Sequence, residues 1–150
     1  MRWVPDNGDH MSTGFTWDLF VLAGNPTAHQ DARKGSANVT ADNMFNSPDG
    51  LAFDNNGLLW IQTDGDYSNQ GNFAGMGNNQ MLVGDPETGE IQRFLVGPKE
   101  CEVTGITWSP DRRSLFVGIQ HPGEEGNSHF PGGGDSVARS SIIAITRSGA

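Results

Sequence analysis

Three carboxylates and one imidazole stand at the borders of apolar stretches, where a strand would deliver a side chain out of a sheet. Asp49 precedes Leu51-Ala52-Phe53, Asp64 follows Leu59-Trp60-Ile61, Glu102 leads into Val103-Thr104-Gly105-Ile106, and His121 follows a run that begins Leu115-Phe116-Val117. Carboxylate oxygens are the ligands that hard cations prefer, so acidic groups gathered at such openings would form a cation site. Asp49 has a second reading, because Ser47-Pro48-Asp49-Gly50 is also a good turn whose Asp can bond its own backbone. Glu102 lies in Cys101-Glu102-Val103-Thr104-Gly105, which has no turn signature. A carboxylate beside a buried strand is costly unless paired or coordinated, the alternative being an exposed rim position. His121 precedes Pro122-Gly123-Glu124-Glu125, which suits a site loop, although a lone histidine is more often structural or solvated.

Other chemistries are poorly served. Asp64-Gly65-Asp66 begins like a calcium loop, but Tyr67, Ser68 and Asn69 do not continue the EF-hand spacing. The glycine-rich Gly71-Asn72-Phe73-Ala74-Gly75-Met76-Gly77 is followed by no Lys-Ser or Lys-Thr pair and is not a phosphate-cradling P-loop. No HxxxH, CxxC or Gly-x-Ser-x-Gly pattern occurs, which argues against a zinc protease, a zinc ribbon and an α/β-hydrolase. His10, His29 and His129 lack spaced partners. Cys101 is the single cysteine, so no internal disulfide forms, and it reads as a small buried apolar group.

The elements that must position these groups are strands. The chain has 150 residues, 35% of them hydrophobic, which is enough for a core and against natural disorder. Twenty-one glycines and eight prolines are more punctuation than helices tolerate, and no apolar run approaches the ~20 residues of a membrane span. A net charge of -9 repels nucleic acid and anionic bilayers and favours cations. No apolar segment of a secretory signal follows Met1, so the expectation is either an internal protein or a chain that begins partway through a longer one. Leu51 to Asp54 runs through Asn55-Asn56-Gly57 into Leu58 to Thr63, and Asn-Gly supplies the positive φ of a tight hairpin. Gln80 to Gly84 and Glu90 to Val96 flank Asp85-Pro86-Glu87-Thr88-Gly89, giving strand, turn and strand again.

The chain also resembles itself. Gly50-Leu51-Ala52-Phe53 returns about 55 residues on as Gly105-Ile106-Thr107-Trp108, and Leu59-Trp60-Ile61 as Leu115-Phe116-Val117. Leu22-Ala23-Gly24-Asn25-Pro26 parallels Leu82-Val83-Gly84-Asp85-Pro86, and Ile142-Ile143-Ala144-Ile145-Thr146 holds the same place once more. Four-stranded units repeating about every 60 residues are the signature of β-propeller blades, with a β-sandwich as the rival. The expected class is all-β, an incomplete ring of about two four-stranded antiparallel blades. Its divisions are an incomplete blade over residues 1–44, a blade over 45–97 and a blade over 98–150. A fourth strand is expected to follow Ile142–Thr146, and blade faces left exposed would promote self-association. The stretches 27–44, 65–79 and 121–138 are long for loops and are candidates for function or disorder.

Phe15 to Pro26, Phe45 to Asp54, Leu59 to Gly65, Gly97 to Gly105 and Gln120 to Glu124 together resemble the C-terminal portion of PhoX-type bacterial alkaline phosphatases. The resemblance spans nearly the whole chain. It implies a six-bladed propeller that hydrolyses phosphate monoesters at a channel-top cluster of iron and calcium ions (Fe3+ and Ca2+), exported to the periplasm or beyond. By the same resemblance Asp49, Asp64 and Glu102 contribute to the metal cluster, with His121 and Gln62 nearby as candidate catalytic groups. Further ligands would come from blades outside this chain, which alone should be inactive. Pro48-Asp49-Gly50-Leu51-Ala52-Phe53-Asp54 followed by Gly57-Leu58-Leu59-Trp60 is also similar to calcium-containing lactonases of the gluconolactonase and paraoxonase type, and a non-catalytic scaffold is the third reading.

Overall fold

Nine strands in three antiparallel sheets make up the fold seen in a computed structural model, which describes residues 1–147. Strands β1 (Arg2–Pro5) and β2 (Phe15–Asp18) form a hairpin. Strands β3 (Pro48–Phe53), β4 (Leu59–Thr63), β5 (Gln80–Gly84) and β6 (Ile91–Val96) form a meander in that spatial order. Strands β7 (Glu102–Trp108), β8 (Ser114–Gln120) and β9 (Ser141–Thr146) form the third sheet, again in sequence order. Among the described residues the only helical segments are short 3-10 turns, and no helix is long and apolar enough to cross a membrane.

In the Asn-Gly turn only Gly57 takes a positive φ, +81°, and the loop between Phe53 and Leu59 is held by Asp54, which accepts from Asn56 and Leu58 N–H while its second oxygen accepts from the Trp60 indole at 3.1 Å. The internal repeat is structural. Leu51 pairs with Ile61 and Ile106 with Val117, and each innermost strand is interrupted by a register shift just before that pair. In β7 the shift falls at Gly105, whose φ of +56° is the glycine-type bulge.

One expectation fails. Leu22–Pro26 is not the third strand of an earlier blade, because its backbone bonds to another segment: Asn25 N–H donates to the Arg33 carbonyl and Ser36 N–H to that of Leu22. A single bridge, Gly24 to Phe45, is its only strand-like pairing among the described residues. Ile142–Thr146 does lie in the expected place, as the third strand of its sheet.

The four-stranded and the three-stranded sheet each pack apolar residues into a core, while the β1–β2 hairpin buries none. Phe45, Ile61, Leu82 and Ile91 fill one; Met81, Val103, Val117 and Ile119 fill the other. Strand β7 lies against β3, β4 and β5, so Met81 of the four-stranded sheet reaches the core of the three-stranded one. Trp60 meets Trp108 edge-on at 6.2 Å across the same seam. The sheets do not close a ring, and Leu51, Phe53 and Ile142 lie exposed on their outer faces.

Candidate metal centre

The repeat sets the site. Asp64 is the first residue past β4 and His121 the first past β8, so equivalent strands of two neighbouring sheets deliver them to the same rim. Glu102 is the first residue of β7, paired with Gln120, which seats it beside His121. Oxygen atoms of Asp64 and Glu102 and a ring nitrogen of His121 lie within 4.8 Å of one another. Glu102 is only 7% exposed, and His121 is its one ionic partner among the described residues, with Nε2 3.6 Å from Oε2. That separation is too long for a hydrogen bond. His121 Nδ1 is buried without a hydrogen-bond partner, 3.6 Å from a Glu124 oxygen.

Hydrogen bonds hold the three supports together. Asn79, just ahead of β5, accepts from the Thr63 hydroxyl at 2.8 Å and from Gly65 N–H at 2.7 Å, which straddle Asp64. Its amide nitrogen donates to the carbonyls of Gly65 at 3.0 Å and Cys101 at 2.9 Å, tying the Asp64 loop to the residue before Glu102. Glycine at position 65 leaves room for the Asn46 side chain and the Ser47 Cβ, both of which a Cβ there would meet at under 3 Å. Glu100 secures the loop after β8 by accepting from Glu125 N–H at 2.9 Å, Asn127 N–H at 3.1 Å and the Asn127 side chain. The Asn127 side chain foremost, and then those backbone donors, hold the Glu100 carboxyl below its ordinary value. Gly123 N–H closes on the Lys99 carbonyl at 3.0 Å. Glu100 (φ +57°) and His121 (φ +35°) both occupy the left-handed region without being glycine, a strain that concentrates where function fixes the backbone. Cys101 is fully buried, and desolvation pushes its thiol up to about 12.

Of the residues singled out in the sequence, Asp64, Glu102 and His121 therefore come together. Asp49 is exposed at the start of β3 and outside this group. Gln62 is 1% exposed in β4, and its amide donates to the Gly105 carbonyl at 3.1 Å, bonding the four-stranded sheet to the bulge of the three-stranded one. Glu102 is buried on a strand as its flanking residues required, not on an exposed rim. Asn79 and Glu100 escaped sequence reading: their partners lie far along the chain, and neither residue stands in a local motif.

The donor set fits a cation. Two carboxylates held close repel one another, and one of them is buried, so a cation between them would relieve the repulsion. Oxygen donors suit calcium, while an imidazole nitrogen beside them suits a transition metal such as iron.

The family model for alkaline phosphatase PhoX matches residues 1–123 of the chain. A solved structure of Pseudomonas fluorescens PhoX in complex with vanadate, a transition state analogue, superposes with a TM-score of 0.94 at 63% sequence identity. The match covers 97% of this chain and 25% of that one, so the chain spans about a quarter of the length of the relative. No curated protein matches.

Proposed function

The chain belongs to the PhoX alkaline phosphatase family, and from that premise we propose that it supplies a share of a metal-dependent site hydrolysing phosphate monoesters in a complete enzyme. The observation that carries the proposal is the convergence of Asp64, Glu102 and His121 from two neighbouring sheets. The relative's complex with vanadate, a transition state analogue, fits phosphoryl transfer at such a centre.

In this reading Asp64, Glu102 and His121 hold the cation, Asp64 from the open side and Glu102 from the buried side. The chemistry such a cation would supply when held there is charge neutralisation at phosphoryl oxygens and a more acidic oxygen nucleophile. The chain's own residues fix the geometry. Asn79 keeps the Asp64 loop in register with Glu102, and Glu100 keeps the His121 loop closed over it. Calcium and iron are the proposed ions. Three protein donors fall short of the six to eight oxygens calcium takes, so the isolated chain is expected to lack turnover.

The test is hydrolysis of 4-nitrophenyl phosphate by the complete protein before and after chelation, with calcium and iron then restored. Loss on chelation and recovery on restoration support the proposal. Activity indifferent to chelation, or lactone turnover in place of phosphatase turnover, overturns it.

A further inference from the structure

The segments that present the three donors also enclose a space. Asp66 and Tyr67 after β4, Lys99 and Glu100 ahead of β7, and Glu125 and Asn127 after β8 line one open cavity of about 860 Å³. Each wall segment thus continues from Asp64, Glu102 or His121, and Glu124, next to the Glu125 wall, stands 3.6 Å from His121. None of the three donors itself lines the cavity, which is joined to them through these wall segments.

Its lining is polar but unequal in sign. Glu100 is committed to the loop amides, whereas neither Lys99 nor Glu125 is in an ion pair among the described residues. The Tyr67 ring offers an apolar face of the kind on which the C–H edges of a polyol pack, and carboxylate, ammonium and amide groups surround it. Three carboxylates against one ammonium oppose a second negative charge on the bound alcohol.

We propose that this cavity is the leaving-group subsite, selecting uncharged, hydroxyl-rich alcohols over alcohols that carry a second anionic group. The inference rests on the phosphatase reading above. Glycerol 3-phosphate and 3-phosphoglycerate form a suitable pair, because they differ by a carboxylate in place of a hydroxymethyl group. The complete protein should turn over the first with the higher kcat/KM. Glu125→Gln should shrink that preference about two- to fivefold, the effect of one charge removed at several ångströms in a partly solvated site, and Lys99→Gln should widen it. Opposite shifts in the two variants support the subsite, and Lys99→Gln alone carries the test if Glu125→Gln does not fold. Preference for 3-phosphoglycerate, or an unmoved ratio in folded variants, overturns the subsite alone. Absence of turnover with any phosphate monoester in the unaltered protein overturns the phosphatase reading instead.

Discussion

Asn79→Ala is the substitution that separates a pinned site from a loose one. The side chain is 4% exposed and makes four hydrogen bonds, to Thr63, to Gly65 twice and to Cys101. At a net of about 1 kcal/mol per bond, with the Cys101 carbonyl left buried and unpaired, removal should cost about 3–5 kcal/mol of local stability. The Thr63 hydroxyl also accepts from Gln80 N–H at 2.9 Å, so the loosening should spread into the junction of β4 and β5. Groups that orient metal ligands from behind typically change affinity by about 10–100-fold when lost, and Asn79 orients two supports at once. Chelator competition on the complete protein reads the affinity, and amide exchange at Gly65 and Gln80 reads the local opening. Asn79→Asp keeps the two accepting interactions but turns a carboxylate toward the Gly65 and Cys101 carbonyls, so it should not rescue. Unchanged metal affinity in Asn79→Ala, with Gln80 exchanging no faster, would refute the reasoning.

Glu100 should give the site loop an acid limit. Its folded-state carboxyl is held below the ordinary value, so its contribution is present above the unfolded value and is lost as pH falls through the folded one, below the ordinary glutamate range. Amide exchange at Glu125 and Asn127 should accelerate in that window, and Glu100→Gln should remove the pH dependence. Cys101, with its thiol pushed up to about 12, should resist iodoacetamide in the native protein at pH 8 and react fully once denatured; rapid native labelling would contradict its burial. Glu102→Gln should lower the metal content of the complete protein more than Asp49→Asn does, since Glu102 is buried within the donor group and Asp49 is exposed outside it.

The sequence announced the sheets wherever local chemistry decides them. Asn56-Gly57 dictates its hairpin, and the recurrence of Gly50-Leu51-Ala52-Phe53 as Gly105-Ile106-Thr107-Trp108 marks two innermost strands that share a bulge. Leu22–Pro26 misled because likeness to Leu82–Pro86 says nothing about the partner. Asn25 turns the chain by accepting from Thr27 and Ala28 N–H, its own N–H donates to the Arg33 carbonyl, and the Leu22 carbonyl accepts from Ser36 N–H. At the site, spacing marked Asp49, Asp64, Glu102 and His121 alike as strand-end residues, and it did not tell Asp49, which lies outside the group, from the three that meet. The pins went unmarked. Asn79 and Glu100 act through residues 14 to 27 positions away, a distance at which no turn or strand pattern leaves a trace.

The central claim is that Asp64, Glu102 and His121 share a cation. Metal analysis of the complete protein beside its Asp64→Asn, Glu102→Gln, His121→Gln triple variant tests it most directly. The account predicts that the folded variant loses at least one tightly held ion per chain; equal metal content in the two proteins would contradict it.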